Sequence, residues 1–251
     1  MAQTPSFSAD QQKTIVITGA TGGIGRANAV RFAEEGFNII LLGRSKEKLE
    51  FIYDEIEKSN PGRTLIHPFD FTTASADDYK ILASAIDEQH PCLDGLIHNA
   101  GLLGTLAPIE HYSEESWENI MTVNLNAPFR LTKALLPSLS RSLDARIVFV
   151  SSSVGRAARA FWGAYGVSKF GLEGLMQTLA AELGKTTQIK VMSVNPGATR
   201  TEMRRDAYPG ENPADVPTPE SLMDTYLYLF GEKGRDLHGE AVNLREISME
   251  K

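Results

Sequence analysis

The sequence predicts one doubly wound α/β domain, a parallel sheet of about seven strands flanked by helices on both faces. Two observations carry this. Short apolar runs alternate with stretches of helical periodicity along nearly the whole chain, and strands each followed by a helix pair in parallel through right-handed crossovers. No Pro/Gly/Ser-rich linker or low-complexity block divides the 251 residues. A single domain over 13–251 is therefore expected, behind a flexible N-terminal segment at 1–12.

The elements follow in order. "TIVIT" from Thr14 reads as a buried strand, "GRANAVRFAEEG" as a helix stopped by Gly36, and "FNIILLG" as the second strand. Ser45 suits the cap of a helix over "SKEKLEFIYDEIEKS". "RTLIHPFDF" is strand-like, "ASADDYKILASAIDEQH" helical and "LDGLIHN" strand-like. Residues from Ser116 to Ser140 read as helix throughout, followed by the strand "ARIVFVSS", a helix over 163–184 and the strand "IKVMSVN". After a loop at 202–218, "PESLMDTYLYLFG" predicts a helix and "GEAVNL" a short last strand. Pro209, Pro213 and Pro217 argue against a large ordered helical lid in that loop.

Composition narrows the partners. A net charge of −7 speaks against nucleic acid or an anionic membrane surface as the main partner. A single cysteine, Cys92, permits no intrachain disulfide and suits a reducing compartment. The N-terminus lacks the basic and apolar regions of a secretory signal, and no apolar stretch has the length of a membrane span. The expectation is a cytoplasmic protein with no membrane partner. The five histidines are scattered singly, so no metal site is assigned.

Three stretches carry chemistry. The first is "TGATGGIGRA", with four glycines in ten residues between the first strand and first helix. Gly19, Gly23 and Gly25 are spaced TGxxxGxG, and such a turn brings backbone close to a pyrophosphate at a helix N-terminus. A plain tight turn is the bland alternative. The second is "GRSKEK", where Arg44 stands 19 residues beyond Gly25 at the end of the second strand. An NAD site usually places a carboxylate about 20 residues on, for the ribose hydroxyls, whereas a guanidinium there suits a 2′-phosphate. NADP(H) is favoured, NAD(H) stays open, and a solvated arginine is the alternative. The third is "SSSVGRAARAFWGAYGVSKF", in which Tyr165 and Lys169 are four apart and share one helical face. An ammonium beside a phenol favours phenolate, making the pair a general acid/base; isolated, the same spacing marks an exposed helix face.

Taken together, these motifs resemble the short-chain dehydrogenases/reductases over nearly the whole chain. The resemblance rests on "TGATGGIG", Asp70 after the third strand, "HNAG" at 98–101, Asn124 in "VNLNAPF", Ser152 thirteen residues before Tyr165, "YGVSK", and "NPGATRT" at 195–201. "ILLGR", "HNAGLLG", "SSSVGR" and "WGAY" resemble the YciK-type bacterial oxidoreductases within it. The resemblance implies a single-domain Rossmann-type fold and hydride transfer between a nicotinamide and a small carbonyl or alcohol. It implies Tyr165 as proton donor or acceptor, Lys169 as the group that lowers its pKa and binds the nicotinamide ribose, and Ser152 as hydrogen-bond donor to the substrate oxygen. Asn124 would hold a water that relays protons through Lys169.

The cofactor residues it implies are Gly19, Thr21, Gly22, Gly23, Ile24 and Gly25 in the turn, with Arg44, Tyr165 and Lys169. Asp70 is expected at the adenine edge, and the backbone of Asn99, Ala100 and Gly101 beside the adenosine. Pro196, Gly197, Thr199 and Thr201 complete the set, Thr201 near the carboxamide and pyrophosphate. By resemblance the helices at 116–140 and 163–184 form a homodimer or homotetramer interface. Two departures stand out: His98 replaces the family's frequent Asn and reads as a core histidine, and the last strand lacks the usual Asp-Gly-Gly ending. Arg156, Arg159, Arg204 and Arg205 are candidate contacts for an acidic substrate group, with Phe161 and Trp162 as apolar walls. The reading from a different class is a dinucleotide-binding regulator that turns nothing over. An intact proton-relay set argues against it.

Overall fold

The computed structural model describes residues 12–248; Met1–Gln11, and with them nearly all of the expected N-terminal segment, lie outside the described residues, as do 249–251. The strands are β1 (Thr14–Thr18), β2 (Asn38–Gly43), β3 (Thr64–Pro68), β4 (Gly95–His98), β5 (Arg146–Val150), β6 (Lys190–Asn195) and β7 (Ala241–Asn243). They form one sheet in the order β3-β2-β1-β4-β5-β6-β7, and every neighbouring pair is parallel. The helices are α1 (Gly23–Glu34), α2 (Lys46–Glu57), α3 (Ala76–Gln89), α4 (Glu114–Met121), α5 (Ala127–Leu139), α6 (Gly163–Leu183), α7 (Glu202–Ala207) and α8 (Met223–Phe230).

Strand residues alternate between two cores, as the pleat dictates. Ile15 and Ile17 of β1, Ile39 and Leu41 of β2, and Val148 of β5 join α1, α2 and α8 on one face. Val16, Ile40, Leu42, Ile147 and Phe149 point the other way, onto α3, α5 and α6. Burial on both faces explains why these strands read as continuous apolar runs.

Local chemistry sets the ends of the helices. Ser45 accepts a hydrogen bond from the Lys48 N–H, and Ser75 and Asp78 form a reciprocal capping box on α3. Ser113 caps α4, so the long helical stretch begins at Glu114, slightly before the expected Ser116. That stretch is not uniform either, because Thr122–Asn126 forms a π-helical turn between α4 and α5. The loop at 202–218 carries one six-residue helix, α7, and no large lid. Pro219–Leu222 is a tight 3₁₀ turn ahead of α8, and the last strand shrinks to three residues.

The strand order reverses between β1 and β4. In an open α/β sheet the crevice beyond the carboxyl ends at such a reversal is where ligands bind. The glycine-rich turn leaves β1 at that point.

Candidate active site

Thr18, the last residue of β1, fastens the two sides of the reversal. Its hydroxyl donates to the Ile97 carbonyl at 3.3 Å and accepts the N–H groups of Asn99 and Ala100 at 3.0 and 2.9 Å. The Asn99 amide returns bonds to the Thr18 and Gly19 carbonyls. Gly19 takes a positive φ of 64°, and a Cβ there would stand 2.8 Å from the Ala100 Cα. A Cβ on Gly25 would stand 2.2 Å from the Gly19 carbonyl oxygen. These two glycines therefore serve close backbone packing. Gly22 differs: a Cβ there meets nothing within 4 Å. It occupies the N-cap of α1 and offers no side chain to the first N–H groups, which leaves them to an incoming acceptor.

Neighbouring residues extend this cradle. A Cβ on Gly43 would lie 2.8 Å from the Thr21 methyl, placing Thr21 over the end of β2. Ile24 packs partly buried against the α1 core. Arg44 is exposed just beyond β2, and Asp70 accepts both the N–H and hydroxyl of Thr72. The Thr72 hydroxyl holds the Asp70 carboxyl below its ordinary range, with the Arg44 charge adding to the effect. Thr201 lies against Gly23, whose Cβ, if it had one, would stand 3.0 Å from the Thr201 methyl. The Thr201 hydroxyl caps α7 by accepting the Arg204 N–H at 3.1 Å. Behind it, Gly197 turns with φ 69° against Arg245. Buried Thr199 bonds back toward the Pro196 and Gly197 carbonyls.

The polar set beside this cradle comes from three elements. Ser152 opens the 3₁₀ turn Ser153–Gly155 after β5, its hydroxyl accepting the Val154 N–H. Tyr165 and Lys169 stand one turn apart on α6, both buried. The Lys169 ammonium donates to the Val150 carbonyl at 2.7 Å and lies 5.6 Å from the centre of the Tyr165 ring. Asn124 sits in the π turn; its Oδ1 accepts the Leu102 N–H at 2.7 Å, and its Nδ2 donates to the Leu102 carbonyl and Ser168 hydroxyl. Both hydrogens of its amide are thereby used, and Oδ1 keeps one lone pair. A Cβ on Gly101 would lie 3.5 Å from Asn124 Oδ1 and 3.8 Å from Lys169 Nζ, so "HNAG", Asn124 and Lys169 meet at one point.

Burial pushes the Tyr165 phenol up to about 12, with the Ser152 hydroxyl acting the other way. Burial lowers the Lys169 ammonium to about 8, opposed by the Glu173 carboxylate. The shift of the phenol here comes from burial, opposed by Ser152, and not from the Lys169 charge. The Tyr165 phenol is neutral near pH 7.

Other expected contacts resolve differently. Arg156 does not face the cleft: its guanidinium bonds Glu173, Asn243 and the Val242 carbonyl. Arg204 makes a two-pronged pair with Glu211 at 2.7 Å on each side and stacks over Tyr208 at 3.7 Å. Neither is left for an anion. Arg205 is exposed beside Asp206, and exposed Arg159 donates to the Tyr208 hydroxyl at 2.9 Å. Trp162 lies 5.6 Å from Tyr165 and 6.2 Å from Tyr208, ring centre to ring centre, whereas Phe161 points outward with φ 73°. His98 is a core histidine, bonded to the Thr132 hydroxyl and stacked on Phe149; burial pushes it down to about 3. Sequence reasoning does not single out Thr18 or Tyr208. Thr18 heads the glycine motif, and that position is the signal that could have found it.

A family model described as short chain dehydrogenase matches residues 13–212. The chain belongs to the short chain dehydrogenase family. It is 44% identical over 223 residues to the uncharacterized oxidoreductase YciK of Escherichia coli strain K12, covering 89% of this chain and 88% of that protein. A short chain dehydrogenase from Pseudomonas syringae superposes with a TM-score of 0.92 at 46% identity, over 97% of this chain and 98% of that one. A short chain dehydrogenase from Shigella flexneri, complexed with NADP, superposes with a TM-score of 0.92 at 40% identity, over 97% and 100%. Among the described residues, no group of three or more His, Cys, Asp or Glu side chains could hold a metal ion, and no helix is long and apolar enough to cross a membrane.

Proposed function

We propose that this short chain dehydrogenase is an NADP(H)-dependent oxidoreductase that interconverts a carbonyl and an alcohol, with Tyr165 as its general acid and base. The observation that carries the reading is the convergence of Ser152, Tyr165 and Lys169 beside the glycine-rich turn at the sheet reversal. The residues present fit a dinucleotide: the first N–H groups of α1 meet no cap, Gly22 opens onto free space, and Arg44 is exposed where a 2′-phosphate would lie. The NADP held by the Shigella flexneri relative supports the same choice. A nicotinamide cofactor supplies or accepts the hydride when bound.

The chain's own groups do the rest. Ser152 orients the substrate oxygen, and Tyr165 gives it a proton; a neutral phenol is the donor state, so carbonyl reduction starts from the resting form of the site. Lys169 holds positive charge beside developing oxyanion character and binds the nicotinamide ribose. Asn124 braces the loop of Leu102, and a π turn leaves a backbone carbonyl without its α-helical partner, suited to a relay water. Gly19, Asn99, Ala100 and Gly101 shape the adenosine side, Asp70 its adenine edge, and Pro196, Gly197, Thr199 and Thr201 the nicotinamide side. Trp162 and Tyr208 wall the substrate cleft, and Arg159 stands at its rim as a cation for an acidic substituent.

Titration of protein fluorescence with NADPH and NADH tests the cofactor assignment. Wild type is expected to bind NADPH more tightly, and Arg44→Asp to weaken NADPH by about 10- to 100-fold, the size of one or two charge-assisted hydrogen bonds, while NADH changes little. Equal wild-type affinities would remove Arg44 from the argument. A carbonyl panel read at the nicotinamide absorbance then separates the oxidoreductase from a regulator, which would bind firmly and turn nothing over.

Self-association belongs to the same reading. Phe129 of α5 and Val167 and Phe170 of α6 expose 49%, 45% and 44% of their surfaces, on the helices expected to pair between copies. Sedimentation velocity is expected to show a dimer or tetramer that the double variant Phe129→Glu/Phe170→Glu reduces to monomer. An assembly unmoved by the two charges would place the interface elsewhere.

A further inference from the structure

The Ser152 loop and the catalytic helix are joined by a part-buried ion pair for which the proposed reaction has no direct use. Glu173, one turn beyond Lys169 on α6, is buried. Its Oε1 accepts Arg156 Nε at 3.0 Å, and its Oε2 accepts the Ser193 hydroxyl at 2.6 Å. Arg156 follows the 3₁₀ turn opened by Ser152, and it also donates to Asn243 Oδ1 at 2.9 Å, to the Val242 carbonyl at 3.2 Å and to Ser193 at 3.4 Å. One guanidinium therefore ties the turn after β5 to α6, β6 and β7. The turn itself rests on Lys169, since a Cβ on Gly155 would stand 2.7 Å from the Lys169 Cβ.

We propose that Glu173 and Arg156 are positioning residues for the reaction: Glu173 sets a carboxylate one helical turn from the Lys169 ammonium, and Arg156 holds Glu173 and the Ser152 turn in register. The inference rests on the reading of Ser152, Tyr165 and Lys169 as the reacting set. The electrostatics agree with the geometry. Around Lys169 stand neutral Tyr165 and the Glu173 carboxylate on its own helix, His98 on β4, Asn124 in the π turn, Arg156 after the 3₁₀ turn, and the Val150 carbonyl at the end of β5. His98 carries no charge at working pH, because burial and the Lys169 charge both oppose its protonation. Glu173 is the carboxylate that acts on Lys169 against its desolvation.

The test reads Lys169 without requiring turnover. In protein labelled with ¹⁵N-lysine, the Nζ resonance that is lost in Lys169→Met is followed from pH 6 to pH 11. Glu173→Gln is expected to lower the Lys169 midpoint by about one pH unit, because a nearby anion is removed while burial remains. A merely structural role predicts the opposite sign: a loosened helix would hydrate the lysine and move its midpoint up, toward about 10.4. An unchanged or raised midpoint in folded Glu173→Gln overturns the proposal. Where that variant fails to fold, Arg156→Met/Glu173→Met removes the pair together, a replacement that buried ion pairs often tolerate. It is expected to lower the midpoint in the same direction, and a rise would overturn the proposal there too. Absence of carbonyl turnover in wild type would sink the oxidoreductase reading and leave these midpoints readable.

Discussion

Tyr165→Phe is expected to cut carbonyl reduction about a thousandfold, within the range that a well-placed general acid contributes, and to leave NADPH affinity within about threefold. The split follows from what the change removes. The ring keeps its contact with Trp162 at 5.6 Å, and only the hydroxyl disappears. The Lys169 ammonium keeps its bond to the Val150 carbonyl, so the cradle is not disturbed. Steady-state rates with NADPH and a carbonyl substrate, set beside fluorescence titration of both proteins, measure the two quantities separately. If more than a tenth of the turnover survived, the proton would have to come from another group.

The same site predicts the pH limb of wild-type reduction. Burial keeps the Tyr165 phenol protonated to about pH 12, so its own ionisation does not limit the rate near neutrality. Lys169 titrates near 8; its charge is present below that pH and lost above it. The rate is therefore expected to fall as pH rises through about 8. A rate independent of pH between 7 and 9 would detach Lys169 from the proton-transfer step.

Much of the sheet was legible because a strand buried on both faces reads as a nearly continuous apolar run, polar residues being confined mostly to its ends. "TIVIT" and "NIILLG" each lie in β-strands whose residues are all buried, and no helix of that length competes with such a pattern. The π turn was hidden for the opposite reason. Thr122–Asn126 contains no glycine or proline, and its neighbours on both sides are good helix, so local propensity does not register one inserted residue. The short last strand read from "GEAVNL" is present as β7, trimmed to the three residues that pair with β6. Only its length, set by that long-range pairing, lies beyond a local window.

The site divides along the same line. The placement of the glycine turn and of the Tyr165–Lys169 pair was legible because each is fixed by spacing within a single local segment. The arginines were not, because a guanidinium goes to whichever carboxylate the fold brings near it. Arg156 finds Glu173 seventeen residues on, well along the next helix, while Arg204 finds Glu211 seven residues on, beyond the end of its own short helix. Glycine-rich spacing likewise could not sort the four glycines by role. Gly25 packs against the Gly19 carbonyl and Gly22 faces open space, a difference visible only after the turn has closed.

Arg146→Met is expected to cost about 3 kcal/mol of stability, roughly a 6–12 °C fall in melting temperature for a chain of this size. A fully buried arginine at the first position of β5 has no counterpart in the strand pattern, and its value comes from where its five donors go. Nε donates to the Leu229 carbonyl at the end of α8, and Nη2 to the Gly231 carbonyl just beyond it. Nη1 donates to Asp144 Oδ1 at 2.7 Å and to the Ala145 carbonyl. Methionine matches much of the volume and none of the donors. Asp144 would keep Arg235 at 2.8 Å and Lys13 at 3.5 Å, so its charge is not the group left stranded. The cost arises instead at the buried carbonyl of Leu229, which loses the donor that anchors the end of α8 to the sheet. Arg235→Ala is the control. It removes an exposed partner of the same carboxylate and is expected to cost less than about 1 kcal/mol. Thermal and denaturant unfolding of the two variants, compared with wild type, decide the matter: equal losses would mean that the charge pair, rather than the buried carbonyl, is what Arg146 supports.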